Sequence, residues 1–132
     1  MKKVLGIGII LLIMLVGCSN VQIHDDVDEE VANDALQLMD VVTKNVDKGT
    51  LYEDASSKDR NIVDSYYDKY IGKFNTKKGI YDGVDDDILI ISKATTVKFK
   101  KGITLETEKE DLKESESNLK EFISTGKGYD ID

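Results

Sequence analysis

Apolar residues recur every three or four positions along most of the chain beyond residue 25, which is the period of an amphipathic α-helix. The clearest stripe lies in residues 26–47, and it consists of Val27, Val31, Ala35, Leu38, Val42 and Val46. Acidic residues surround its start, and Lys48 and Gly49 follow its end, as the helix dipole and a glycine C-cap favour. The pattern predicts a first helix over residues 26–47.

Two further helices are predicted from stripes of the same period. The second follows Ser56 and Ser57, which are suitable N-cap residues, and its apolar side contains Val63, Tyr66, Tyr67, Tyr70, Ile71 and Phe74. Residues 75–83 contain two glycines and are expected to form a loop. The last helix is predicted to start at a capping box, Thr107 to Glu110, and to end at Gly126.

The segment 84–107 supports two interpretations. Its β-branched residues favour strands, with a hairpin over residues 95–107 that turns near Gly102. Helical spacing instead aligns Val84, Ile88, Ile91, Thr95 and Phe99, between an acidic start and a lysine–glycine end. We weight periodicity and capping above strand propensity. The sequence therefore predicts an all-α fold, a small antiparallel bundle of three to four helices, and the alternative is an α+β fold with the hairpin.

The first eighteen residues have a different character. Lys2 and Lys3 precede an uncharged apolar run over residues 4–16. As a helix this run is about 20 Å long, which is short for a membrane span and typical of a signal peptide. It ends in Leu15-Val16-Gly17-Cys18. This motif resembles the lipobox of bacterial lipoproteins.

The resemblance implies that Cys18 receives a diacylglycerol thioether and that the chain is cleaved after Gly17. The new amino group of Cys18 would then take a further acyl chain such as palmitate. Two or three acyl chains give a stable anchor, so the expected location is the extracytoplasmic face of the cell membrane. A plain secretory signal or an N-terminal transmembrane helix is the alternative. The implied division is a signal peptide (1–17), a lipidated cysteine with its tether (18–25), one globular domain (26–126) and a C-terminal tail (127–132).

Charge excludes one class of partner. The 132 residues include 26 acidic and 18 basic side chains, a formal net charge of −8. Loss of residues 1–17 removes two lysines and leaves −10. An acidic domain is unsuited to the phosphates of nucleic acid, and anionic headgroups should repel it. We expect the domain to stand off the bilayer on its lipid, with membrane lipid as partner only through Cys18.

No catalytic, metal or cofactor site is predicted. The carboxylates within residues 82–87 invite a calcium hypothesis, but their spacing departs from the EF-hand pattern. The sequence around Lys127 lacks the spacing of a phosphate-binding loop. His24 is the sole histidine and lies in the expected tether.

The tyrosines of the second helix are the remaining feature of interest. Tyr70 is expected in the core, and Tyr67, about 100° around the helix from Tyr66, is the candidate for partner contact. We therefore predict a small binding or interaction module at the cell envelope, with an envelope protein as partner. Size and anchor suggest one concrete form, an exclusion-type protein of a mobile element. The alternative is a small envelope enzyme or accessory factor.

Overall fold

The computed structural model describes residues 21–72, 81–102 and 106–129. These residues form four helices, α1 (Glu29–Asp47), α2 (Ser57–Tyr70), α3 (Gly83–Lys100) and α4 (Glu106–Thr125), with a short 3-10 helix (Tyr52–Asp54) after α1. No strand occurs among them. The prediction of an all-α bundle is confirmed. The alternative hairpin over 95–107 is wrong, because α3 continues to Lys100 and α4 has begun by Glu106.

Local capping explains where the helices begin. The Asp28 carboxylate accepts the Val31 N–H at 3.0 Å, so α1 begins at residue 29 and not at the predicted residue 26. Ser56 Oγ accepts the Asp59 N–H at 3.1 Å and is the N-cap of α2, as predicted. The predicted cap of the last helix is wrong, because α4 begins at Glu106 and Thr107 lies inside its first turn.

The start of α1 lies beside the start of α3 and the ends of α2 and α4, so the helices run alternately up and down. Helices α1 and α3 make the most extensive contact. Helices α2 and α4 both pack on this central pair and lie on opposite sides of it. We name the two ends of the bundle. The near end contains the starts of α1 and α3 and the ends of α2 and α4. The far end contains the 3-10 helix, the ends of α1 and α3 and the starts of α2 and α4.

Helix α3 can lie at the centre of the bundle although it carries buried hydroxyl side chains, because these hydroxyls bond to the backbone of the same helix. Ser92, Thr95 and Thr96 each donate to the carbonyl four residues earlier, at 2.8–2.9 Å. All three side chains are buried. In the described part of the chain no buried side-chain nitrogen or oxygen lacks a hydrogen-bond partner. Local hydroxyl bonds of this kind remove the cost of placing polar side chains in a core.

Residues 21–28, which we name the entry segment, are bound to the near end. Val21 and Ile23 pack against the core, and the His24 N–H donates to the Ile123 carbonyl at 2.8 Å. Residues 21–25, which the sequence analysis assigned to the tether of residues 18–25, thus contact the folded domain. The tail is also attached, because the Tyr129 ring packs edge-on against Phe122 with centroids 4.9 Å apart.

The described helices do not combine the length and the hydropathy that a membrane span requires. Cys18 and the apolar run before it lie outside the described residues.

Candidate interaction surface

The three tyrosines of α2 differ in burial. Tyr70 is 1% exposed and Tyr66 is 4% exposed, and their rings lie 4.7 Å apart. The prediction that Tyr70 belongs to the core is confirmed. Tyr67 is half-buried at the edge of the stripe, as its angular position predicts. Its role as a partner contact stays a prediction.

At the C-terminal end of α2, four side chains form the Asp34 cluster, consisting of Glu30, Asp34, Lys69 and Tyr70. The Tyr70 hydroxyl donates to Asp34 Oδ2 at 2.7 Å. Lys69 Nζ lies 2.6 Å from the same oxygen and 2.8 Å from Glu30 Oε1. The ammonium is also 5.2 Å from the centre of the Tyr70 ring. These bonds join the end of α2 to the start of α1.

At the other side of α2, four side chains form the Lys100 cluster, consisting of Tyr52, Asp64, Tyr67 and Lys100. Lys100 Nζ and the Tyr52 hydroxyl both donate to Asp64 Oδ1 at 2.5 Å. The ammonium lies 4.7 Å from the centre of the Tyr52 ring and 5.0 Å from that of Tyr67. This arrangement adds cation–π attraction to an ion pair, and it joins the 3-10 helix and α2 to the end of α3.

The pKa shifts of Lys100, Asp64 and Tyr70 keep each of these side chains in one protonation state near neutral pH. Partial burial alone would lower the pKa of Lys100, but its hydrogen bonds to Asp64 and Tyr52 outweigh that effect and raise it. Burial alone would raise the pKa of Asp64, and the bonds from Lys100 and Tyr52 lower it overall. Burial, followed by the hydrogen bond to Asp34, raises the pKa of Tyr70. The lysines therefore stay charged and Tyr70 stays neutral at physiological pH.

Behind these clusters, Tyr66 connects α2 to the central helix. Its hydroxyl is hydrogen-bonded to Ser92 Oγ. Since the single Ser92 hydroxyl proton is donated to the Ile88 carbonyl at 2.8 Å, Tyr66 is the donor. Burial raises the pKa of Tyr66. Helix α2 is thus fixed to α1 and α3 by polar bonds along its inner side as well as by apolar packing.

A shallow groove lies between α1 and α2. Polar and charged side chains form most of its walls, and Ile62 and Tyr66 contribute apolar surface; the groove is lined by Asp34, Gln37, Lys58, Asn61, Ile62, Ser65, Tyr66 and Lys69. Sequence reasoning singled out Tyr67 and missed this groove. The spacing of exposed positions on α2 indicates a solvated face, but the opposing wall depends on how α1 packs.

The other sequence candidates have structural partners. Asp85 accepts the Asp28 N–H at 2.9 Å, and Asp87 accepts the Tyr129 N–H at 2.9 Å. Burial and the neighbouring carboxylates outweigh the effect of the hydrogen bond from Asp28 and raise the pKa of Asp85. His24 Nδ1 accepts the Asp26 N–H at 3.1 Å. Within the described ranges no three histidine, cysteine or acidic side chains are grouped so that they could hold a metal ion.

Comparison with known proteins does not add to this picture. No protein-family model, no curated protein and no solved structure matches the chain.

Proposed function

We propose that this protein is a lipoprotein, anchored through Cys18 to the extracytoplasmic face of the cell membrane, whose helical domain binds an envelope protein. The observation that carries the anchor is the order of features at the start of the chain. Two lysines, a short apolar run and Leu15-Val16-Gly17-Cys18 occur in the order typical of lipoprotein precursors. Cys18 is also the only cysteine of the chain.

The binding function is supported by the α1–α2 groove and the face of α2 beside it. Lys58, Asn61 and Ser65 are exposed. The helix that carries them is bound to α1 by the Asp34 cluster, which includes the groove residues Asp34 and Lys69, and to α3 by the Lys100 cluster. A rigid surface loses little conformational entropy on binding, which favours recognition of a defined partner. An exclusion-type protein, which meets a component of a competing mobile element, is one form of this proposal.

The anchor is tested by replacing Cys18. Wild type should lose residues 1–17, gain the mass of two or three acyl chains and incorporate an alkyne-labelled fatty acid. Cys18→Ala should remain unprocessed and unlabelled, because no other thiol exists to accept the lipid. Ser19→Ala is the matched control and should be processed normally. Labelling of Cys18→Ala would refute the assignment.

The binding surface is tested by site-specific photo-crosslinking in intact cells. A crosslinker at Ser65 should capture one envelope protein, whereas one at Lys113, an exposed position on α4, should not. The two helices lie on opposite sides of the central pair, so the comparison separates a specific face from general proximity. Equal capture from both positions, or turnover of an envelope substrate by the purified protein, would contradict the proposal.

A further inference from the structure

The entry segment determines where the chain joins the folded domain. Its His24 N–H bonds to Ile123 in the last turn of α4, and its Asp28 N–H bonds to Asp85 in the first turn of α3. Val21, at its beginning, packs against the core. The chain therefore enters the bundle at the near end.

The distance from this entry point to the lipidation site is short. Three residues lead from position 21 back to Cys18, and three residues span at most about 10 Å when fully extended. Helix α1, with 19 residues, is about 28 Å long. A lipid on Cys18 would therefore keep the near end within about 10 Å of the lipidated residue, whereas the far end lies about a helix length from the near end.

We propose, building on the lipid anchor proposed above, that the near end faces the phospholipid headgroups and the far end points away from the membrane. The attachment comes from the anchor and not from charge attraction. The near end is rich in carboxylates, including those of Asp25, Asp26, Asp28, Glu29, Asp82, Asp85 and Asp86, and anionic lipids repel such a surface.

Tyr129 is the side chain that contacts the headgroups. It is 49% exposed, and two contacts hold it at the near end, its edge-on packing against Phe122 and its N–H bond to Asp87. A tyrosine with an apolar ring and a polar tip is suited to the headgroup region, where tyrosine and tryptophan are enriched. The geometry thus gives the near end an amphipathic contact among its carboxylates.

The absence of tryptophan from the chain allows a single-reporter test. Tyr129→Trp and Lys127→Trp place the reporter at the near end, and Glu53→Trp places it in the exposed part of the 3-10 helix at the far end. Each full-length variant is purified from membranes and reconstituted into phosphatidylcholine vesicles with a nitroxide on the headgroup. Because nitroxide quenching is short-ranged, both near-end reporters should be quenched several-fold more than the far-end reporter.

The outcomes separate this inference from the anchor on which it depends. If the protein floats with the vesicles but Glu53→Trp is quenched as strongly as the near-end reporters, the orientation is wrong and the anchor stands. If the protein does not float and carries no lipid by mass spectrometry, the anchor is wrong and the orientation is overturned with it.

The negative charge of the near end allows a second experiment, which measures how quenching depends on salt. In vesicles with anionic lipid, near-end quenching should be weaker at low salt and should recover at high salt, because salt screens repulsion between the carboxylates and the headgroups. The far-end reporter should not respond. Stronger near-end quenching at low salt would show attraction and would overturn this account of the near end.

Discussion

Truncation of Tyr70 is expected to remove a large part of the stability of the bundle. The side chain is 1% exposed, and its ring centre lies 4.7 Å from that of Tyr66 and 6.4 Å from that of Tyr81. Replacing a buried aromatic residue with alanine costs about 3–5 kcal/mol. Loss of the hydroxyl bond to Asp34 adds about 1 kcal/mol. Small domains have about 5–15 kcal/mol in total, so Tyr70→Ala should lose a large fraction of the free energy of unfolding.

Urea unfolding followed by the helical circular dichroism signal measures this cost. Two variants serve as controls. Tyr70→Phe keeps the ring and should cost only about 1 kcal/mol, since Asp34 retains its ion pair with Lys69. Tyr67→Ala removes a half-buried ring and should cost less than half as much as Tyr70→Ala.

Two results would refute this reasoning. Equal costs for Tyr70→Phe and Tyr70→Ala would mean that the hydroxyl bond, and not ring burial, carries the free energy. Equal costs for Tyr67→Ala and Tyr70→Ala would mean that Tyr67 is a core residue. In that case Tyr67 would no longer be a candidate for partner contact, and the binding proposal would depend on the groove alone.

Two further changes test the polar bonds that fix α2. Ser92→Ala should cost about 1–3 kcal/mol in urea unfolding because it leaves the buried Tyr66 hydroxyl unpaired. Adding Tyr66→Phe to this variant should recover part of the lost free energy of unfolding. If the costs of the two substitutions simply add, the bond between Tyr66 and Ser92 is contradicted. Lys100→Met should lower the thermal midpoint, and the loss should depend on pH. The lowered pKa of Asp64 means that its contribution is present above its ordinary value of 3.8 and is lost as pH falls through the folded-state pKa. The raised pKa of Lys100 means that its contribution is present below 10.5 and is lost as pH rises through the folded-state value. Wild type and variant should therefore differ most between these limits and converge outside them, and a difference independent of pH would exclude the ion pair as its cause.

Helix positions were largely readable from the sequence because they depend on local interactions. Three signals act within one or two turns: the 3.6-residue period of the α1 stripe, the Ser56 cap and the glycines at the helix ends. Even α3, whose β-branched residues favour strands, was assigned correctly from periodicity and caps. The differences from prediction lie at two helix starts, near Asp28 and Thr107, where a boundary commonly varies by one or two residues.

Other features were decided only by tertiary packing. Val21 and Ile23 lie in a mainly polar stretch and have no helical period, and they become part of the domain only because the start of α3 and the end of α4 meet there. The Asp34 and Lys100 clusters each bring together residues from different helices, with separations of 36 positions between Asp34 and Tyr70 and between Asp64 and Lys100. Pairing over such distances depends on which helices become neighbours.

The sequence alone thus determined the helical character of the domain, its net negative charge and the presence of Leu15-Val16-Gly17-Cys18, the motif on which the anchor proposal depends. Each is a local or summed property of the chain. The tertiary structure decided that the chain enters at the near end, that Tyr67 shares a cluster with Lys100 and that a groove opens between α1 and α2. These follow from long-range packing, in which shape and burial select one arrangement among many that the same helices could adopt.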